Sequence, residues 1–140
     1  MPSHARTLRI EWGDCDPAGI VFYPRYFAMF DHSTTLLIER LVGISKHQLY
    51  ETYGFAGYPT VETRARFLAP SAFGDDVVIE TSLGAVRRSS FELTHRLSRD
   101  GTLAVEGFET RVWTVHDPAR PGRLKAQPIP PELVARFTAA

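Results

Sequence analysis

The hydrophobic period of this chain changes at Val61, and that change leaves few folds open. From Tyr23 to Val42 the apolar residues follow a helical period through Phe27, Phe30, Leu37 and Leu41, with Thr34 in the same row. Met29, Leu36, Ile38 and Val42 widen the stripe, which predicts a helix buried against other structure. Pro24 suits the first helical position and Gly43 the residue after the last. From Val61 the period is two: Val61, Thr63, Ala65 and Phe67 alternate with Glu62, Arg64 and Arg66. Further strands are predicted at about Val77–Val86, at Phe91–Ser98 and at Leu103–Val115. Asp100-Gly101 is a hairpin turn signal between the last two. A strand at Thr7–Trp12, with Leu8, Ile10 and Trp12 on one face, precedes the helix. Ser45–Tyr53 reads as a short helix capped by Ser45 and stopped by Gly54, Asp117–Arg123 as a loop, and Glu132–Phe137 as a terminal amphipathic turn or two. The expectation is an α+β fold, with an antiparallel sheet wrapped around one long central helix. So large a sheet in so short a chain predicts that a partner covers its edge strands.

The 140 residues are read as one domain, 1–140, without linker, repeat or low-complexity segment. Sixteen basic side chains balance sixteen acidic ones, against the basic excess of a general nucleic-acid binder. The one cysteine, Cys15, excludes an internal disulfide framework and a cysteine-based zinc site, and the five histidines have no metal-type spacing. The polar start and the lack of a long apolar run predict no signal peptide and no membrane span, hence a cytoplasmic protein.

The stretch Trp12–Tyr26 concentrates the chemistry. Asp14 and Asp16 flank Cys15, Pro17-Ala18-Gly19 reads as a turn, and Ile20-Val21-Phe22 is apolar. A helix beginning near Pro24 leaves backbone N–H groups from Tyr23 to Tyr26 without helical partners. Such an end holds an anion or a polarised carbonyl oxygen. Asp16, seven residues before Tyr23, can fold back towards it, which puts a nucleophile or base beside an oxyanion site. On the motif alone, an Asp in such a turn more often serves the turn with its own side chain. Asp14 is read as a hydrogen-bond partner of the loop, and Cys15 as an inert small residue. Asp31, on the helix, needs a partner where it is buried, and can accept a hydrogen bond from a substrate hydroxyl or from the Asp14 loop.

The segment G-D-C-D-P-A-G-I-V-F-Y-P-R-Y-F resembles the signature of the hot-dog-fold acyl-CoA thioesterases, and most of all the 4-hydroxybenzoyl-CoA thioesterases with an Asp in the loop before the central helix. G-Y-P-T-V, R-R-S-S-F and the R-L-K segment fall where that family has similar pieces. The resemblance implies hydrolysis of an aromatic or short acyl-CoA to free acid and CoA, with no metal and no redox cofactor. It implies that Asp16 is the catalytic carboxylate and that the Tyr23 backbone N–H receives the thioester oxygen. It implies acyl-pocket positions at Asp31 and Tyr58, and CoA-binding positions at Arg87, Arg88 and Lys125. It also implies a homo-oligomer, a dimer or a dimer of dimers (a homotetramer), with the site at a subunit interface. Phe22 stands where a Trp is familiar, and Tyr58 where a smaller Thr is, so Tyr58 can reshape the acyl pocket.

Two rivals to a thioesterase are a non-catalytic acyl-CoA-binding module and an enoyl-thioester hydratase. Hydratases of this fold carry a His a few residues after the Asp, where this chain has Gly19 and Ile20.

Overall fold

A computed structural model describes residues 2–139; Met1 and Ala140, the two ends of the expected domain, lie outside the described residues. Strand β1 (Ser3–Arg9) leads into a single 3-10 turn (Trp12–Asp14), then the long helix α1 (Pro24–Val42) and the short helix α2 (Lys46–Tyr53). Strands β2 (Phe55–Gly57), β3 (Thr60–Phe67), β4 (Asp76–Val86), β5 (Ser90–Arg99), β6 (Thr102–Val112), β7 (Thr114–His116) and β8 (Leu124–Ala126) follow, and helix α3 (Pro131–Thr138) ends the described chain. Five strands form an antiparallel sheet in the order β1-β4-β5-β6-β3, and β2-β7-β8 form a second, smaller sheet. Among the described residues no helix is long and apolar enough to cross a membrane.

Helix α1 begins at Pro24, whose fixed φ suits that place, and ends where Gly43 turns left-handed at φ 77°. Its sheet-facing side buries Tyr26, Met29, Phe30, Leu37, Ile38 and Val42, with Ser33 and Thr34 among them. The buried stripe is narrower than the composition implies: Phe27, Leu36 and Leu41 are half-buried, and Ala28, Asp31 and His32 are exposed. The Phe30 ring of α1 presses against β6. A Cβ on Gly107 would come within 2.5 Å of Phe30 Cε2, so only glycine admits the Phe30 ring there. That ring stacks on His95 of β5 at 4.6 Å between centroids.

Three expectations need correction. The first strand is Ser3–Arg9, not Thr7–Trp12, because pairing with β4 from Ser3↔Ser82 to Arg9↔Asp76 draws its polar start into the sheet. Trp12 then lies in the 3-10 turn, 74% exposed, because the Asp14 side chain accepts the Glu11 N–H at 2.9 Å and curls the chain. Leu103–Val115 is not one strand. At Trp113 the N–H turns to the Ser89 carbonyl and the carbonyl to the Gln127 N–H, so the chain passes from one sheet to the other. The small sheet, with β2 and β8, was not expected; its three-residue strands are too short for a period to be read. The hairpin at Asp100 and Gly101, both at positive φ, stands as expected.

Candidate functional site

The loop between the 3-10 turn and α1 is a miniature hairpin. Asp16 N–H bonds the Ile20 carbonyl at 3.0 Å, and Phe22 N–H bonds the Asp14 carbonyl at 2.8 Å. Val21 N–H reaches the Ser71 carbonyl at 2.9 Å, which ties the loop to the segment before β4. Gly19 supplies the left-handed residue at φ 85°. Asp14 is spent on structure: beyond its bond to Glu11, its Oδ1 accepts from Arg25 Nε at 3.2 Å and Nη2 at 3.1 Å. Cys15 Sγ donates to the Glu11 carbonyl at 3.7 Å.

Asp16 divides its two oxygens. Oδ1 accepts the Ala18 N–H at 2.8 Å and so shapes the turn. Among the described residues, Oδ2 accepts nothing. The start of α1 leaves fewer N–H groups open than its position alone suggests. Arg25 and Tyr26 N–H groups close tight turns onto the Phe22 and Tyr23 carbonyls, at 2.8 and 3.1 Å, and Pro24 has no N–H. The Tyr23 N–H has no backbone acceptor among the described residues. Tyr23, Ile20 and Val21 line a mostly apolar cleft of about 350 Å³, closed on the other side by Phe67, Leu68 and Pro70.

A second cluster lies further along α1. The Asp31 carboxylate, 57% exposed, accepts a hydrogen bond from Arg111 Nη2 at 2.7 Å. Arg111, on β6, is 5% exposed and also donates through Nη1 to the Tyr58 carbonyl at 3.2 Å and through Nε to Glu109 Oε1 at 3.1 Å. Glu109 Oε2 in turn accepts from Thr34 Oγ1 and from His95 Nε2, each at 2.6 Å, and Thr81 Oγ1 lies 2.8 Å from His95 Nδ1. Burial alone would raise the Glu109 carboxyl, but the His95 hydrogen bond and the charges of His95 and Arg111 outweigh it and hold the group at about 2. Burial would lower the Arg111 guanidinium, and the Glu109 and Asp31 carboxylates raise it instead.

The Tyr58 ring is packed against Phe55 and Phe91, and its hydroxyl donates to Thr35 Oγ1 at 3.3 Å. Burial pushes that hydroxyl up to about 12, so it remains protonated. The bulk of Tyr58 therefore sits in the core, while Lys46 Nζ covers its ring at 4.5 Å. With Arg111, Lys46 and Leu124 it lines a cavity of about 270 Å³.

Within one chain the expected site residues fall into three groups. Asp16, in the loop hairpin opposite Ile20, and Tyr23, at the head of α1, belong to one continuous segment. Asp31 and Tyr58 are joined through Arg111; eight residues separate Tyr23 from Asp31, about 12 Å along the helix. Arg87 and Arg88 are exposed in the turn between β4 and β5. Arg87 pairs with Glu92 at 3.0 Å. Lys125, exposed in β8, belongs to the same end of the fold, since the segment after β8 returns an Ile129 N–H to the Arg88 carbonyl at 2.9 Å. Sequence reasoning missed Glu109 and Arg111. A signal existed: period two puts Val105, Gly107, Glu109 and Arg111 on one face, and opposite charges two apart on an otherwise apolar face mark a buried pair.

Residues 10–137 match the profile of the thioesterase-like superfamily. The chain belongs to that family. Among curated thioesterase-like proteins it is similar to the 4-hydroxybenzoyl-CoA thioesterase of Pseudomonas sp. (strain CBS-3), 33% identical over 90% of this chain and 91% of that one. A crystal structure of a mutant 4-hydroxybenzoyl-CoA thioesterase complexed with 4-hydroxybenzoyl-CoA superposes with a TM-score of 0.90 at 30% identity, covering 99% of this chain and all of the other. A gentisyl-coenzyme A thioesterase superposes at 0.81 and 33% identity, over 94% and 98% of the two chains. The expected hot-dog α+β fold and the expected place among the acyl-CoA thioesterases are both borne out.

Proposed function

We propose that this thioesterase hydrolyses an aromatic, 4-hydroxybenzoyl-like, or short acyl-CoA to free acid and CoA in the cytoplasm. One observation carries the reading of the site: the unspent Tyr23 N–H at the head of α1 stands next to a loop whose Asp16 keeps one oxygen unbonded. The Tyr23 N–H receives the thioester oxygen as charge develops on it. Asp16 attacks the carbonyl as nucleophile, giving a mixed anhydride, or takes a proton from the attacking water. The C–S bond breaks and CoA leaves as its thiolate, which takes up the proton that the water gives up; on the nucleophilic route that water cleaves the anhydride, releasing the acid and restoring the Asp16 carboxylate. Asp31 and the Tyr58 region meet the acyl group, and Arg87, Arg88 and Lys125 meet the phosphates of CoA. No metal or redox cofactor takes part.

The working unit is a homo-oligomer, a dimer or a dimer of dimers. Among the described residues strand β3 pairs only with β6, and its residues Val61 and Phe67 are exposed. A second copy covers that edge and brings its own Asp31–Tyr58 cluster towards the first chain's Asp16. The test is a panel of aryl- and alkyl-CoA thioesters assayed for free thiol. Steady thiol release from an aryl ester is expected. Tight binding of every ester without thiol release would make the protein an acyl-CoA-binding module instead.

The cationic turn gives a separate prediction. Arg87→Ala with Arg88→Ala raises KM for the CoA ester and weakens its salt dependence, while kcat falls little. Arg88 makes the larger contribution, because Arg87 is shared with Glu92. A truncated thioester without the nucleotide is hydrolysed no worse by the double variant than by wild type. An equal loss on both esters would assign the arginines to folding or to the acyl pocket.

A further inference from the structure

A carboxylate more than half exposed on a helix normally samples several rotamers in water. Asp31 does not have that freedom, because the group that holds it is anchored in the opposite layer of the fold. Arg111 reaches from β6 with its guanidinium buried, and three of its contacts fix its plane: Glu109, the Tyr58 carbonyl and Asp31 itself. Glu109 is held by Thr34 from α1 and by His95 from β5, and His95 is clamped between Thr81 and the Phe30 ring. Burying such a chain of charges is costly compared with an apolar core of the same volume. Its members are satisfied one by another, and only its last member reaches the surface. Asp31 Oδ1 is taken by Arg111, and among the described residues Oδ2 accepts nothing.

We propose that Arg111, braced by Glu109 and His95, is a positioning residue that sets acyl specificity by fixing the free Asp31 oxygen as an acceptor for a hydroxyl on the acyl group. The inference rests on the reading that Asp31 meets the acyl moiety. A fixed, partly desolvated acceptor favours an O–H donor. Where the bound acyl ring shields Asp31 from water, the acceptor rejects a ring without a donor, because it is then left unpaired, and it repels a carboxylate. A mobile Asp31 would turn to water and discriminate poorly.

The experiment measures kcat/KM on 4-hydroxybenzoyl-CoA and on benzoyl-CoA, and takes the ratio. Wild type favours the hydroxylated ester by at least about tenfold. Asp31→Asn reduces that preference. Arg111→Lys keeps the charge and loses the planar fork; it lowers activity on the hydroxylated ester on the order of tenfold more than on benzoyl-CoA. Glu109→Gln, which leaves Arg111 in place and removes the charge that braces it, moves the ratio in the same direction and carries the test if the lysine variant does not fold. In an Asp31→Asn background, Arg111→Lys changes the ratio no further. A purely structural role would lower both activities together and leave the ratio as it is. If Asp31→Asn shifts the ratio while Arg111→Lys and Glu109→Gln do not, the relay is wrong and the Asp31 reading stands. If wild type shows no preference, or Asp31→Asn leaves it unchanged, the Asp31 reading falls and the inference with it.

Discussion

Asp16→Asn lowers kcat by at least about 100-fold, the effect of losing a positioned acid–base group or nucleophile. The substitution is clean because of how Asp16 divides its oxygens. Asn retains the Oδ1 acceptor for the Ala18 N–H, so the turn survives, and it replaces only the unbonded oxygen with an amide. The hairpin bonds of Asp16 N–H to Ile20 and of Gly19 N–H to Asp16 are backbone bonds and persist. CoA binding, measured by calorimetry or as product inhibition, is therefore unchanged, and KM moves far less than kcat. Turnover by the variant at a rate near wild type would remove Asp16 from the chemistry and leave it a turn residue.

Wild type loses about 3 kcal/mol of stability from Glu109 as the pH falls from 4.5 to 2. The folded carboxyl titrates at about 2 and the reference group at 4.5, so folding depresses it. A depressed carboxylate stabilises the fold fully above the unfolded value. That contribution fades as pH drops towards the folded value, below which both states are protonated. Glu109→Gln removes the group that titrates. At pH 7 the variant is less stable by about 3 kcal/mol, since Arg111 loses its buried counter-charge and His95 its carboxylate partner. Between pH 4.5 and 2 the gap between the two proteins closes. Urea unfolding at a fixed protein concentration checks this, concentration being held because association adds to stability. Curves that stay parallel through that pH range would show that the Glu109 charge contributes nothing to folding.

The local signals were strong where local physics decides. Pro24 and Gly43 bound α1 because one lacks an N–H at a place that needs none and the other tolerates a left-handed φ. Ser45 caps α2 by accepting the Gln48 N–H, a bond between residues three apart. The alternation in β4, β5 and β6 follows from the two faces of a strand, one of them against α1. The loop from Asp14 to Phe22 was legible as a turn, with Asp16 serving it, because its bonds join near neighbours.

The sequence by itself determined the α+β order of elements, the place of the Asp16 loop and the helix start that follows it, all of which rest on neighbours in the chain. Tertiary structure decided three things. It fixed where the loop before α1 sits, because the Val21 N–H bonds the Ser71 carbonyl, far along the chain. It broke the long last strand at Trp113, because the bond to Ser89 comes from a turn more than twenty residues earlier. And it turned Glu109 and Arg111 from an ordinary pair of strand charges into the buried support of Asp31. Thr34, His95 and Tyr58 lie far from them in sequence, and only packing α1 onto the sheet brings their partners within reach.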